Sequence, residues 1–309
     1  MKYSDWINEW FDNYVKPTTK NKTIACYKSV INKHIVPGLG DYEIGDITPI
    51  LLQKFITDLL NKGNSRTGRG LSSNTVNLII TIIQVSLETA SRLELTNHYV
   101  ADKVKRPRSK EKKIECFSLA EQKKIEAAVL SHKKVKMFGI LLCLYTGLRI
   151  GELMALKWSD IDFVKKELHV TKSCSDGFLV NGKYGRLVDT PKTDTSVRTI
   201  PIPKQLVPLL KDVKRRNESE YVVGDGDKEI SIRSYQRSFE LLLKRLNIEH
   251  KGFHALRHTF ATRACEAGMD IKTLSEILGH KNPSVTLSRY AHSFWDHKKQ
   301  MMNKVGAFL

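Results

Sequence analysis

The sequence predicts a mainly α protein of two domains, with a small antiparallel β-sheet confined to the second. Three observations carry that expectation. Apolar residues recur at helical spacing along most of the chain. The segment 103–113, KVKRPRSKEKK, holds seven basic residues, one acid and no apolar side chain but Val104. Between about 160 and 202, short β-prone pieces replace the helical pattern. At 309 residues the chain is long enough for two cores.

The first domain, 1–102, reads as helical. Trp6, Ile7, Trp10, Phe11 and Tyr14 fall three to four residues apart and mark one apolar face. Further helices are expected at roughly 20–35, 48–62 and 72–92, the last opening on Ser72, Ser73 and Asn74 as cap candidates. The basic stretch 103–113 reads as a linker. The second domain, 114–309, opens with Ser118 and Glu121, spaced as a capping box. A buried helix follows at about 134–146, carrying Phe138, Ile140, Leu141, Leu142, Leu144 and Tyr145. The pieces ELHVTKS, GFLV, RLVDT and VRTIPI, separated by turn-formers, predict the antiparallel sheet. Helical patterns resume at about 203–217, 231–246, 254–267, 270–278, 284–291 and 294–305.

Composition narrows the partners. Fifty-one basic residues against 33 acidic ones give a net charge of +18. Charge of that size favours a polyanion, nucleic acid first, with an anionic membrane as the weaker alternative because no basic amphipathic anchor flanks an apolar insert. No apolar run approaches the ~20 residues of a membrane span. The five cysteines are scattered, odd in number and without a CxxC pair, which fits reduced thiols in a cytoplasmic setting rather than a disulfide framework. The first domain is nearly neutral but unevenly charged. No acid lies between Asp12 and Asp41, where Lys16, Lys20, Lys22, Lys28 and Lys33 all fall, and Arg66 and Arg69 sit in the turn GNSRTGRG. With Lys105, Arg106 and Arg108 of the linker, these are the expected phosphate contacts.

Four short pieces carry candidate chemistry. In Thr146-Gly-Leu-Arg149-Ile-Gly-Glu152, the arginine falls at a turn between apolar residues, where a guanidinium wants an anion, and Glu152 is spaced to hold it. His254, Arg257 and His258 share one helix face. His-x3-His is also a metal-ligand spacing, but the position after His254 is Ala255 and no third ligand is evident, so an anion suits the face better and no metal is expected. His280 follows a helix-ending Gly279, and Tyr290 sits in SRYAH. Each piece alone has an ordinary structural explanation.

In this order and combination, TGLRIGEL, HALRHTFAT, LGH and SRYAH make the chain resemble the tyrosine recombinase (phage integrase) family, over essentially its whole length. The closing stretch is most similar to integrases of conjugative transposons and temperate phages. The resemblance implies a two-domain clamp on duplex DNA, a helical core-binding domain followed by a mixed catalytic domain. It implies Tyr290 as nucleophile, forming a 3′-phosphotyrosyl bond, with Arg149 and Arg257 on the non-bridging phosphate oxygens and His254 and His280 assisting. Lys192 occupies the place of the family's general acid, with Lys172 and Lys183 as nearby rivals. It implies no cofactor, and self-association to a tetramer on two DNA sites carrying short inverted repeats. Met1 leads almost directly into the first domain, so the N-terminal arm-binding module of larger integrases is not expected. A type IB topoisomerase and a non-catalytic DNA-binding protein are the competing readings.

Overall fold

The computed structural model describes residues 1–64, 67–96, 102–108, 115–132, 134–178, 184–189, 197–224 and 230–280, together with the single positions 282, 284, 299, 302, 303 and 306. The chain forms two compact units, Met1–Lys112 and Lys113–Leu309, each with its own core.

In the first unit, α1 (Tyr3–Trp10) runs on through a π-helical turn, Phe11–Val15, and α2 (Asn21–Val30) through a second, Ile31–Ile35, into α3 (Val36–Leu39). Trp6, Ile7, Trp10 and Phe11 are buried as their spacing predicts, whereas Tyr14 is exposed. The wider turn adds a residue to the helical repeat, so the apolar face slips past Tyr14 and takes Val15 instead. Thr48 caps α4 (Pro49–Lys62), whose first residue is a proline that needs no N–H partner there. Ser72 caps α5 (Ser73–Arg92) by accepting from Thr75 N. This long helix is the spine of the unit. Tyr3 meets Ser86 Oγ at 2.7 Å, and Trp6 Nε1 donates to Ser86 O at 3.0 Å.

The first half of the basic segment is strapped to the same unit. Val104 is buried beside Leu52, Phe55, Ile56, Ile80 and Ile83. Gln53 Oε1 accepts from Lys105 N at 2.8 Å, and Asn77 Nδ2 donates to Pro107 O at 3.0 Å. The Arg106 guanidinium donates to Thr81 Oγ1 at 3.2 Å and to Gln84 Oε1, so this expected phosphate contact is turned onto α5.

In the second unit, α6 (Leu119–Leu130) begins with the predicted capping box, Ser118 Oγ accepting from Glu121 N and Glu121 Oε2 from Ser118 N. A 3-10 turn, Val135–Phe138, leads into α7 (Gly139–Thr146), buried on all sides except at Tyr145, which is exposed where it donates to Glu126. After α8 (Ile150–Ala155) come β1 (Ile161–Asp162), β2 (Glu167–Val170), β3 (Ser173–Phe178), β4 (Tyr184–Asp189) and β5 (Arg198–Pro201). They form two antiparallel sheets rather than the single one expected, β1-β2-β5 and the hairpin β3-β4. Strand β2 pairs with the distant β5 through Val170↔Arg198, and the chain leaves that sheet at Thr171–Lys172. Among the described residues four further helices follow: α9 (Leu206–Arg215), α10 (Ile232–Arg245), α11 (His254–Glu266) and α12 (Ile271–Leu278). The helices expected at 284–291 and 294–305 lie outside the described residues apart from isolated positions.

Helix α11 is the central element. It packs along the apolar α7. Thr259 Oγ1 accepts from Phe117 N at 2.8 Å, and Arg263 Nη2 donates to Phe117 O at 3.1 Å, so the entry of the chain into this unit is fixed to α11. Helix α7 ends on Gly147 with φ +67°, a left-handed conformation in which an ideal Cβ would stand 2.5 Å from Phe260 Cδ1 and 2.8 Å from Leu278 Cδ2. Gly147→Ala therefore combines backbone strain with overpacking between α11 and α12. We expect a loss of at least about 2 kcal/mol in the stability of the second unit, measured by denaturant unfolding.

Candidate active site

The C-terminal end of α12 organises the site. Gly279 adopts the left-handed conformation, φ +63° and ψ +50°, that lets a helix close on itself. His280 N then donates back to Ser275 O, and Gly279 N to Glu276 O, both at 3.0 Å. A helix end also leaves its last carbonyls without amide partners. Here three consecutive carbonyls each receive an arginine. Arg198 Nε donates to Ile277 O at 2.5 Å, Arg257 Nη2 to Leu278 O at 2.7 Å and Arg149 Nη2 to Gly279 O at 3.0 Å. The negative end of the helix dipole favours cations at this position.

The arginines come from three elements. Arg149 follows the turn at Gly147 and precedes α8, with an extended backbone. Its Nη1 donates to Glu152 Oε1 at 2.7 Å, the partner its spacing predicts, and its side chain is 35% exposed. Arg257, near the start of α11, is buried, and its Nη1 donates to Gly147 O at 2.8 Å. Arg198 opens β5 and grips Glu152 with both terminal nitrogens, Nη1 to Oε1 at 3.1 Å and Nη2 to Oε2 at 2.9 Å.

His280 leaves the end of α12 half-buried, with Nε2 2.9 Å from Arg257 Nη2. A guanidinium can only donate, so Nε2 is the acceptor in this arrangement and the ring proton resides on Nδ1. His254 is exposed on the first turn of α11, three residues before Arg257, and its ring meets His258 edge-on at 4.5 Å.

The structure thus brings together Arg149, Arg257 and His280, and places His254 on the same helix as Arg257. Lys192, its rival Lys183, and Tyr290 lie outside the described residues. Lys172 is exposed in the short link between β2 and β3. In the first unit Lys20, Lys22, Lys28, Lys33, Arg69, Lys105 and Arg108 are exposed, Lys16 pairs with Asp12 at 2.6 Å, and Arg66 lies outside the described residues. Among the described residues there is no cluster of three or more His, Cys, Asp or Glu that could hold a metal, and no helix is long and apolar enough to cross a membrane.

Sequence reasoning missed Arg198. Its only local signal is a basic residue at the edge of VRTIPI, and its partners, Glu152 and Ile277, are 46 and 79 residues away.

Two guanidiniums, those of Arg149 and Arg198, share the one carboxylate of Glu152, and Arg257 joins them on the same helix end, so the cluster is net positive, a setting for an anion. Burial by itself would raise the Glu152 carboxyl, but the hydrogen bonds and charge of Arg198, then the charge of Arg149, hold it below the usual carboxylate range. A carboxylate depressed in the folded state stabilises the fold at neutral pH, and that contribution is lost as pH falls through its folded value. Glu152→Gln should therefore lower the melting temperature most at neutral pH. The gap from wild type should close as pH falls below about 4, measured by thermal unfolding across pH.

The phage integrase family model matches residues 116–297, and that of the phage integrase N-terminal SAM-like domain matches residues 2–60. A tyrosine recombinase XerC-like protein of Caldanaerobacter subterraneus subsp. tengcongensis is 32% identical over 93% of this chain and 78% of its own length. The ICEBs1 integrase of Bacillus subtilis is 29% identical over 91% of this chain and 77% of its own. In fold, the chain is similar to the Tn1549 transposon integrase solved with transposon right-end DNA, with a TM-score of 0.81 and 22% identity, covering 99% of this chain and 100% of that one. It is also similar to a lambda integrase dimer bound to a core site, with a TM-score of 0.72 and 20% identity over 96% of this chain and 79% of that one. The chain belongs to the phage integrase family, the tyrosine recombinases.

Proposed function

We propose that this chain is a site-specific recombinase that cuts and rejoins DNA strands through Tyr290. The observation that supports this reading best is the fixed, net-positive arginine cluster on the end of α12. A phosphodiester under attack carries its charge on two non-bridging oxygens, and donors already held in place need no rearrangement to stabilise it. Arg149 and Arg257, anchored to the backbone carbonyls of Gly279, Leu278 and Gly147, meet that requirement.

In this mechanism the Tyr290 oxygen attacks the scissile phosphorus, giving up its proton to the site. The bond from phosphorus to the 5′ oxygen breaks, and Lys192 supplies a proton to the leaving oxygen. A phenol with a pKa near 10 needs a proton acceptor at neutral pH, and in this reading His254 and His280 take up the Tyr290 proton. The phosphodiester linkage is conserved as a 3′-phosphotyrosyl ester, so a 5′-hydroxyl of a partner strand reverses the step without external energy. His280 and His254 hold hydrogen bonds to the phosphate and relay protons. Arginine and lysine supply the charge neutralisation that a metal supplies in polymerases, so the reading requires no cofactor.

The partner is duplex DNA carrying short inverted repeats, gripped by both units with phosphate contacts from the exposed lysines and arginines of the first. Strand exchange between two duplexes calls for four protomers, acting in the cytoplasm. Integration, excision and inversion all use this one chemistry.

Tyr290→Phe should bind its recombination site as the parent does, yet form no protein–DNA adduct on a nicked suicide substrate. A denaturant-resistant adduct with this variant would place the nucleophile elsewhere. Detection is by denaturing gel shift of labelled DNA.

A further inference from the structure

Arg198 stands apart from the other two arginines. Its side chain is only 6% exposed, and all three guanidinium nitrogens are engaged within the protein, Nε on Ile277 O and the two terminal nitrogens on Glu152. It is therefore not placed to hold a substrate phosphate.

What it touches is more telling. Both Glu152 oxygens are shared between Arg198 and Arg149. Oε1 accepts from Arg149 Nη1 and Arg198 Nη1, and Oε2 accepts from Arg149 N and Arg198 Nη2. A planar fork that binds a carboxylate through two bonds fixes the plane of that carboxylate, which a single point charge cannot do. The carboxylate plane in turn sets the direction of the Arg149 guanidinium. The third bond of Arg198 reaches the last turn of α12, two residues before Gly279 and three before His280.

We propose that Arg198 is a positioning residue for strand cleavage: through Glu152 it aims Arg149, and through the Ile277 carbonyl it holds the helix end from which His280 projects. This rests on the reading that Arg149 contacts the scissile phosphate.

A buried ion pair can instead serve the fold alone, and replacing both partners by apolar residues commonly restores such stability. The test uses the full chain with Arg198→Met, Arg198→Lys and the double variant Glu152→Met/Arg198→Met. Single-turnover adduct formation on a suicide substrate, site affinity and melting temperature are measured for each.

Arg198→Met should slow cleavage by about 100-fold, the scale of losing a preorganised donor, while site affinity stays within about threefold. Its rate should also acquire a new fall on the acid side of the pH profile. Glu152 has lost the partner that chiefly holds its carboxyl down, and it titrates closer to neutrality. Arg198→Lys should recover part of the rate, because it restores charge without the fork. The double variant should regain melting temperature but not rate.

A rate that returns together with stability in the double variant would make Arg198 purely structural and overturn the inference. So would a wild-type rate and pH profile in Arg198→Met. Arg149→Ala serves as the control. If it cleaves at the wild-type rate, the reading of Arg149 itself fails; if it is inactive while Arg198→Met is not, only the role of Arg198 falls.

Discussion

Three guanidiniums seated on three successive carbonyls at the end of one helix are the constraint on which the rest of the second unit depends. The left-handed Gly279 closes α12 and satisfies the carbonyls of Ser275 and Glu276, so those of Ile277, Leu278 and Gly279 remain for side chains. The residues that take them lie 79, 21 and 130 positions away along the chain. One helix end therefore gathers the start of α8, the start of β5 and the first turns of α11 into a single site.

The supporting structure explains why those elements arrive with the correct aim. The turn at Gly147 sends the chain from the buried α7 towards α8, and its carbonyl anchors Arg257. A side chain at Gly147 would collide with Phe260 of α11 and Leu278 of α12, so close packing and hydrogen bonding act on the same residue. Gly151, the second residue of α8, lies so near β3 that a Cβ there would stand 2.5 Å from Cys174 O. Asp176 of β3 in turn accepts from Ile232 N and Arg233 N at the start of α10. The small hairpin is thus fixed at both α8 and α10. Glu152, the one carboxylate in the cluster, offsets part of the repulsion among three cations and leaves a net positive field for an anion.

The parts of this arrangement that depend on local spacing were legible in the sequence. Helix α5 and its Ser72 cap, the Ser118–Glu121 capping box, and the Arg149–Glu152 pair all join residues within one helical turn. The parts that depend on distant partners were not. Arg198 shows its role only when β5 pairs with β2 and brings it beside Glu152, and the split into two sheets follows from the same non-local pairing. Tyr14 was misread because a π-helical turn changes the repeat without a local sequence signal. The assignment of Lys192 and Tyr290 rests on the order of motifs, TPKTD and SRYAH, since both lie outside the described residues.

If the arginine cluster exists to neutralise the reacting phosphate, then removing the charge from the substrate should do its work. The direct measurement is single-turnover cleavage by Arg257→Ala on two suicide substrates, one with an ordinary scissile phosphate and one with a neutral methylphosphonate there. The account predicts a deep loss, about 100-fold or more, on the phosphate and substantial recovery on the methylphosphonate, with Tyr290 carrying the adduct in both cases. Equal inactivity on both substrates, in a variant that still folds and binds DNA, would contradict it.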